Sequence, residues 1–192
     1  MIGAIVLGAG SSRRFGDDKR KARLPDDRLV IEQTTANALA AFEAVLLVLR
    51  ADDQAFKAQL IESLGSEDLR VFLAPDAALG MGHSLANAVT AVDHWEGAFI
   101  CLGDMPYLTQ ATLLQLQTVM AERTGPRIVV PTHAGEWAHP VGFSADYFGS
   151  LQTLTGDRGA RHLIKANPDD VVEIAFNDPG VIQDIDVPQD LR

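Results

Sequence analysis

Cysteine is almost absent from this sequence, and that scarcity excludes two common ways of holding a fold together. The 192 residues include one cysteine, Cys101. A single thiol forms no internal disulfide and cannot supply a thiolate zinc site, so the fold must rely on packing alone. The five histidines are scattered and show no zinc-ligand spacing. This pattern is typical of a reducing compartment, and we expect a cytoplasmic protein.

Long apolar runs are also missing. No run approaches the roughly 18 to 20 residues that span a bilayer, and the stretch from Met1 to Leu7 lacks the charged leader of a secretion signal. With 47% hydrophobic and 22% charged residues, the composition is that of a globular chain able to bury a sizeable core. We expect a single domain over residues 1–192 and no membrane partner.

Positive charge is in deficit, with 16 basic residues against 26 acidic ones and a formal net charge of −10. This balance argues against a nucleic-acid or anionic-membrane surface. Six of the basic residues nevertheless lie between Arg13 and Arg23. Cations concentrated beside a glycine-rich turn are typical of a site for a small polyanion. The neighbouring Asp17-Asp18 pair is interpreted as solvated loop charge.

Strand-like and helix-like segments alternate along most of the chain. The predicted strands are Ile2–Leu7, Ala44–Leu49, Val71–Ala74, Ala98–Leu102 and Ile128–Val130, and the predicted helices lie near Leu29–Ala41, Gln54–Leu64, Ser84–Val92 and Thr109–Glu122. Continuous apolar strands are buried on both faces, which predicts a Rossmann-like, doubly wound α/β fold with a mostly parallel sheet. Ligands of such folds bind outside the carboxyl ends of the strands.

The last quarter of the chain is less regular. Short strands are predicted at Val141–Phe143, Val171–Phe176 and Val181–Ile185, with a helix around Gly159–Ala166. We expect these segments to form an antiparallel C-terminal addition to the sheet.

The loop after the first predicted strand is the first candidate site. It reads Leu7-Gly8-Ala9-Gly10-Ser11-Ser12-Arg13-Arg14-Phe15-Gly16-Asp17-Asp18-Lys19. Glycines let backbone N–H groups turn towards an anion, and arginine and lysine pair with phosphate oxygens. The dinucleotide fingerprint is not matched, because Arg13 stands where its third glycine belongs, and the Gly-Lys-Ser/Thr of a P-loop is absent. The alternative is a plain glycine-rich turn with solvated basic residues.

Three further candidates follow predicted strands. Asp104 lies at the carboxyl edge of the sheet, where a carboxylate can hold Mg²⁺ against nucleotide phosphates; a loop aspartate bonded to nearby backbone is the alternative. The segment from Gly80 to Leu85 admits close approach of an anionic ligand at a helix N-terminus, although capping by Ser84 also explains it. Asp186 is either a second metal carboxylate or part of a Pro-flanked turn.

In chain order, these motifs resemble those of the nucleotidyltransferases that attach CMP or GMP to molybdopterin in molybdenum-cofactor maturation. The family patterns Leu-Ala-Ala-Gly-x-Ser-x-Arg-Met-Gly-x-x-Lys, Gly-Met-Gly-x-Ser-Leu, Leu-Gly-Asp-Met-Pro, His-Pro-Val, Gly-Asp-x-Gly-Ala-Arg and Asp-x-Pro-x-Asp-Leu are matched at residues 7–19, 80–85, 102–106, 139–141, 156–161 and 186–191. The Ala9-Gly10 pair and the Gly-Met-Gly segment are closer to the cytidylyl branch than to the guanylyl branch.

The resemblance implies a GT-A-like nucleotidyltransferase fold and a set of site residues. The implied catalytic residues are Arg14, Lys19 and Asp104, and Asp104 and Asp186 would bind Mg²⁺. The implied nucleotide-binding residues are Leu7, Gly8, Ala9, Gly10, Ser11, Ser12, Arg14, Lys19, Gly80, Met81, Gly82, Ser84 and Asp104. The acceptor would lie near His139, Asp157 and Arg161. The implied partners are CTP or GTP, a phosphorylated small molecule such as molybdopterin, and a molybdenum enzyme that receives the product.

The sequence departs from the family at several places, and in the first loop Gly8 and Phe15 replace the usual alanine and methionine. The segment Lys19-Arg20-Lys21-Ala22-Arg23-Leu24-Pro25 is longer and more basic than the family's link, so Lys21 is an alternative to Lys19 as the catalytic lysine. His83 stands where a small hydroxyl residue is common, and Trp137-Ala138 stand where Arg-Gly is expected, close to where the acceptor should bind.

Other functions remain as alternatives. A nucleotidyltransferase of the same fold that acts on a sugar phosphate or polyol phosphate is the nearest. A noncatalytic chaperone that hands a nucleotide or cofactor to a molybdenum enzyme is a second. A dinucleotide-dependent oxidoreductase ranks last, because the third fingerprint glycine is missing.

Overall fold

The computed structural model describes residues 1–10, 15, 18–122, 125–157 and 159–191. Its strands are β1 Ile2–Leu7, β2 Val45–Arg50, β3 Leu69–Ala74, β4 Gly97–Leu102, β5 Ile128–His133, β6 Glu136–Trp137, β7 Val141–Ser144 and β8 Val171–Ala175. Its α-helices are α1 Val30–Leu39, α2 Gln54–Leu64, α3 Met81–Thr90, α4 Gln110–Ala121, α5 Phe148–Leu151 and α6 Arg161–Ala166. No helix in these ranges combines the length and the apolar character needed to cross a membrane.

The strands form one mixed sheet in the order β3-β2-β1-β4-β7-β5-β6, with β8 also paired to β5. Strands β1 to β4 are mutually parallel, and β8 runs parallel to β5. Strand β7 is antiparallel to both β4 and β5. The predicted α/β class with a mostly parallel sheet is therefore confirmed.

The predicted C-terminal addition needs correction in two respects. The antiparallel strand β7 lies inside the sheet, between β4 and β5, and β8 is parallel to β5. The segment predicted as a strand at Val181–Ile185 is not one. An Asp-Pro-Gly turn precedes it, in which the Asp178 carboxylate accepts the Gly180 N–H at 2.8 Å, and the short 3₁₀ helix Pro179–Val181 includes its first residue. Val181 and Ile185 are fully buried, so their apolar character reflects anchoring of a loop.

The core lies on both faces of the sheet, as the period-two geometry of strands requires. In β1, Ala4 and Val6 face a cluster that contains residues of α1, α2 and α4, and Ile5 faces a second cluster that contains residues of α3, α5 and α6. All three strand residues are fully buried. The helices on the two faces leave the carboxyl edge of the strands uncovered between them.

Two glycines bring the loops after β1 and β4 together at that edge. The Gly103 N–H donates to the Leu7 carbonyl at 3.0 Å. A Cβ at Gly103 would lie 2.6 Å from the Ile31 Cδ1 atom and 2.8 Å from the Leu7 carbonyl oxygen. At Gly8, a Cβ would lie 2.8 Å from the same Ile31 atom. The backbone oxygen of Leu7 leaves no room for a side chain at 103, so Gly103 allows this close approach, which places Asp104 beside the first loop.

We expect Gly103→Ala to lower the free energy of unfolding by about 1–3 kcal/mol, because the added methyl overpacks against a backbone oxygen that cannot move away. Urea denaturation of the wild type and the variant measures this. Gly149→Ala is the matched control, since a Cβ there would meet no atom of the described part of the chain within 4 Å. Equal midpoints for the two variants would contradict the packing argument.

Candidate functional site

A deep cleft opens at the carboxyl edge of β1, β2, β3 and β4. Its volume is about 830 Å³, which is ample for a nucleoside triphosphate by the usual range of ligand pockets. The described residues that line it are Leu7, Ala9, Gly10, Phe15, Lys19, Arg50, Ala51, Asp52, Ala74, Pro75, Ala77, Ala78, Gly80, Met81, Ser84, Leu102, Asp104, Asp157 and Asp186. We refer to this hollow as the cleft.

A lysine lies between two carboxylates on the wall of the cleft. The Lys19 ammonium is 2.5 Å from Asp104 Oδ2 and 3.5 Å from Asp186 Oδ1. Burial alone would lower the pKa of Lys19, but the charges and hydrogen bonds of these two carboxylates outweigh it and raise the pKa above its ordinary value. The ammonium is therefore charged at neutral pH. It brings together Lys19, Asp104 and Asp186, of which any two are at least 82 positions apart in the sequence.

A terminal turn carries Asp186 to this place. The Ile185 N–H donates to the Asp104 carbonyl at 2.9 Å, and the Ile185 side chain is fully buried. The Asp190 carboxylate accepts the N–H groups of Asp186 and Val187 at 2.8 and 2.9 Å. Burial, together with repulsion from Asp104 and Asp186, raises the pKa of the nearby Asp184. The Asp-x-Pro-x-Asp motif thus closes a turn that brings carboxylates to the loop after β4.

The inner oxygen of Asp104 fits a hard divalent cation. Asp104 Oδ1 is buried and has no hydrogen-bond partner among the described residues. A buried carboxylate oxygen without a partner is costly, and carboxylate oxygen is the ligand that Mg²⁺ and Mn²⁺ prefer. Within the described ranges, no three His, Cys, Asp or Glu side chains form a metal-binding group by themselves. An ion held here would therefore take its other ligands from phosphate and water, as Mg²⁺ commonly does.

Arg20, which sequence reasoning did not single out, is buried under the first loop. It is 4% exposed. Its guanidinium donates to the Gly8 carbonyl at 2.9 Å, to Asp18 at 2.6 and 2.7 Å, and to Asp53 at 2.5 and 3.1 Å. It also lies over the ring of Phe56, 5.3 Å from the centroid. One side chain thus connects the end of β1, the basic segment and the start of α2.

This network corrects the interpretation of Asp18 as a solvated loop charge. Burial would raise the pKa of Asp18 and of Asp53, but hydrogen bonds from Arg20 and its charge outweigh that and lower both pKa values. Both carboxylates are therefore ionised partners of a buried cation. Asp17 lies outside the described residues.

The two candidate lysines point in different directions. Lys19 lines the cleft, whereas the Lys21 ammonium lies over the Phe56 ring, 4.9 Å from its centroid. Phe56 belongs to α2, which packs on the same face of the sheet as α1 and α4. The placement favours Lys19 for contact with a ligand.

Arg50 is a second cation that the sequence analysis missed. It is the last residue of β2, lines the cleft and donates to the Gly10 carbonyl. Its Nη1 atom is 3.9 Å from the Asp18 carboxylate. Its position at the carboxyl end of a predicted strand was the available signal.

The glycine segment at the start of α3 and the loop around Gly156 are joined to each other. The α3 helix begins at Met81 after Gly80, whose φ is +120°, and a Cβ at Gly80 would lie 2.5 Å from the Gly156 carbonyl carbon. The Gly82 N–H donates to the Gly156 carbonyl at 2.8 Å, and the Gly156 N–H donates to His83 Nδ1 at 3.0 Å. This pairing holds the loop that carries Asp157 against the start of α3.

Ser84 does not cap this helix. Its hydroxyl donates back to the Gly80 carbonyl at 3.4 Å, and no side chain caps the N-terminus of α3 among the described residues. Ser84 instead lines the cleft.

His139 and Arg161 lie in a smaller hollow that adjoins the cleft. This recess has a volume of about 240 Å³. Its described lining residues are Leu7, Met81, Leu85, Ile100, Leu102, Trp137, Ala138, His139, Val141, Phe143, Gly159, Ala160, Arg161 and Ile164. Burial lowers the pKa of His139; the charge of Asp104 opposes this and that of Arg161 adds to it. The imidazole is therefore neutral at neutral pH.

The structure brings most, but not all, of the expected site residues together. Leu7, Ala9, Gly10, Lys19, Gly80, Met81, Ser84, Asp104, Asp157 and Asp186 line the cleft. Gly8 and Gly82 are buried behind it, and His139 and Arg161 lie in the recess. Ser11, Ser12 and Arg14 lie outside the described residues, so their expected roles stay predictions.

Comparisons with known proteins agree with this geometry. Residues 4–171 match the family model described as the MobA-like NTP transferase domain. The chain is 26% identical to the purine catabolism protein PucB of Bacillus subtilis, over 97% of this chain and 92% of that protein. It is 26% identical to a probable molybdenum cofactor guanylyltransferase of Mycobacterium tuberculosis, over 92% and 85% of the two chains. The crystal structure of Rv0371c from M. tuberculosis in complex with manganese is similar, with a TM-score of 0.77, 30% identity and coverage of 98% and 95%.

We expect Arg20→Met to lower the free energy of unfolding by about 3–5 kcal/mol, because it leaves two partly buried carboxylates without their main cation. Thermal or urea unfolding at pH 7 measures the loss. Arg28→Met is the matched control. Arg28 pairs with Asp26 at the surface, with 54% of its side chain exposed, so its removal should cost under about 1 kcal/mol.

The pH dependence gives a second readout for the same variant. The pKa values of Asp18 and Asp53 are lowered from 3.8 in the folded state, so their stabilisation is complete above about pH 4 and is lost as the pH falls further. This acid-induced loss should shrink in Arg20→Met. If the wild type and Arg20→Met lost the same stability between pH 4 and lower pH, the ion pairs of Arg20 with Asp18 and Asp53 would contribute nothing to stability.

Proposed function

The chain belongs to the family of MobA-like NTP transferase domains, a family of nucleotidyltransferases, and we propose that it transfers CMP from CTP to a phosphorylated acceptor, molybdopterin. The observation that carries the proposal is the Lys19 ammonium set between Asp104 and Asp186 on the wall of the cleft. A cation and a hard anionic site side by side are what a triphosphate with its counter-ion requires.

The reaction exchanges one phosphorus–oxygen bond for another. An oxygen of the acceptor's phosphate attacks the α-phosphorus of the nucleotide, and the bond to the oxygen that leads to the β-phosphate breaks. Pyrophosphate leaves in line and carries away the electron pair. Such transfer depends on positioning and on neutralising charge.

Lys19 is the proposed electrostatic catalyst. An ammonium has three N–H donors, so Lys19 can remain bound to Asp104 while it donates to an α-phosphate oxygen. Its raised pKa keeps it charged through the neutral range. Only 17% of the Lys19 side chain is exposed to solvent, so water screens its charge less than at the surface. The carboxylates hold the ammonium in place before the substrate arrives.

Asp104 and Asp186 are the proposed ligands of Mg²⁺, which when bound supplies positive charge to the phosphate oxygens. The amides of the first loop, with Ser11, Ser12 and Arg14, are proposed to hold the β and γ phosphates. Ala9 and Gly10 line the cleft at this point, and no atom of the described residues lies within 4 Å of the position of a Cβ at Gly10. A phosphate can therefore approach the backbone there closely.

The choice of CTP rests on the Ala9-Gly10 pair, whereas one relative is named a guanylyltransferase. The test is pyrophosphate release with CTP and with GTP against molybdopterin, glucose 1-phosphate and glycerol 3-phosphate. Turnover with CTP and molybdopterin supports the proposal. Turnover with a sugar or polyol phosphate alone establishes the alternative. Tight NTP binding without pyrophosphate release under any acceptor would establish the noncatalytic chaperone.

We expect Asp104→Ala to lower the rate of Mg²⁺-dependent pyrophosphate release by about 100-fold or more, since it removes the carboxylate with the orphan oxygen. Circular dichroism and the melting temperature should change far less. Asp93→Ala, at an exposed position, is the control and should keep full activity. Parallel loss of fold and activity in Asp104→Ala would assign Asp104 a structural role.

The two lysines provide a matched pair. Lys19→Ala should lower kcat by about 100-fold or more, because it removes a charge from the reacting phosphates. Lys21→Ala should change kcat by less than about threefold, since its ammonium lies over Phe56. Steady-state kinetics of both variants decide the matter, and loss of activity only in Lys21→Ala would overturn the assignment.

A further inference from the structure

The recess is a ring-sized annex of the cleft. Its volume of about 240 Å³ is below the roughly 300 to 1,000 Å³ of pockets that enclose a whole small ligand. Leu7, Met81 and Leu102 line both hollows, so the two are continuous. A molecule whose phosphate lies near Asp104 can therefore extend its other end into the recess.

The recess offers very few hydrogen-bonding side chains. Among its described lining residues, only Trp137, His139 and Arg161 carry polar side-chain atoms. The Trp137 N–H is already used, since it donates to a Glu173 carboxylate oxygen at 2.7 Å. What remains for a ligand is one imidazole and one guanidinium above an apolar floor.

The indole of Trp137 is held as a fixed wall. Glu173 restrains its edge through that hydrogen bond, and the Arg161 guanidinium lies 5.6 Å from its ring centroid. Trp137 is part of β6, the short strand paired with β5. A planar side chain fixed in this way favours planar partners, because offset stacking needs a defined ring plane.

The two polar groups of the recess are available to a ligand. His139 Nδ1 is buried and has no hydrogen-bond partner among the described residues, so a ligand that bonds it would remove the cost of an unsatisfied buried atom. Within the same ranges, Arg161 has no carboxylate within ion-pair distance. His139 lies near both Asp104 and Arg161, since the charges of the two act on it.

We propose that Trp137 determines the acceptor specificity of this site: the recess takes a flat, unsaturated ring of the phosphorylated acceptor against the indole and discriminates against polyhydroxylated groups. The inference rests on the proposed function. A sugar or polyol that entered the recess would bury several hydroxyl groups beside two polar partners, and each unsatisfied group weakens binding by roughly tenfold. A flat heteroaromatic ring loses little water, packs against the indole beside the Arg161 guanidinium and bonds His139 with a single ring atom.

The test is binding of defined probes to the wild type and to two variants, measured by isothermal titration calorimetry with Mg²⁺ present. The flat-ring probe is 6-hydroxymethylpterin phosphate, and the hydroxylated probe is glucose 1-phosphate. We expect the pterin phosphate to bind the wild type at least tenfold more tightly. Trp137→Leu, which keeps the wall apolar, should weaken pterin phosphate about tenfold and leave CTP, GTP and glucose 1-phosphate unchanged.

Trp137→Phe is the conservative control. It keeps an aromatic plane and loses the bond to Glu173, so it should retain pterin phosphate affinity within about threefold. Unchanged binding of the pterin phosphate to Trp137→Leu, or tighter binding of glucose 1-phosphate to the wild type, would overturn the inference. The titration measures binding and requires no turnover. Absence of pyrophosphate release would therefore refute the proposed function, whereas the effect of Trp137 on probe binding could still be measured.

Discussion

The buried guanidinium of Arg20 is the contact on which the geometry of the cleft depends. It holds the Gly8 carbonyl at the end of β1, Asp18 in the basic segment and Asp53 at the start of α2. A trans peptide directs its C=O and N–H in opposite directions, so this bond turns the Ala9 N–H away from the arginine. Ala9 lines the cleft, and the loop thus presents its N–H side to the solvent-filled space.

Such a network contributes more to placement than to stability. Removing two carboxylates and a guanidinium from water costs much of what their mutual attraction returns. The return here includes five hydrogen-bond donors of arginine in a fixed fork and stacking on Phe56. Asp18 directly precedes Lys19 in the chain, so fixing the Asp18 carboxylate also limits where the Lys19 side chain begins. That restraint aligns the ammonium with Asp104.

Local sequence patterns predicted the parts of this site that lie within one motif and missed those that join distant motifs. The glycines of the first loop and Asp104 were recognised because the strand-to-loop transition is visible in the sequence. Asp18 was misread because its partner Arg20 is buried by contacts with distant residues, among them Asp53, which lies 33 positions after Arg20. The segment from Val181 to Ile185 was predicted as a strand because the two buried apolar residues at its ends, which anchor a loop, resemble the apolar pattern of a strand. Arg20 has no pattern of its own, since a buried arginine looks like any surface cation.

The antiparallel strand β7 explains why the cleft and the recess are formed by different kinds of segment. Parallel strands β1 to β4 contribute the loops that follow them, as with Gly10, Arg50 and Asp104. Strand β7 runs the other way, so it presents its beginning at the same edge, and Val141 pairs with Ile100 of β4 there. His139 therefore reaches the site through the segment before a strand. Trp137 and Ala138, which precede His139, line the recess, whereas neither lines the cleft among the described residues. Under the proposed function, contacts to the triphosphate and contacts to the acceptor would therefore come from different parts of one sheet edge.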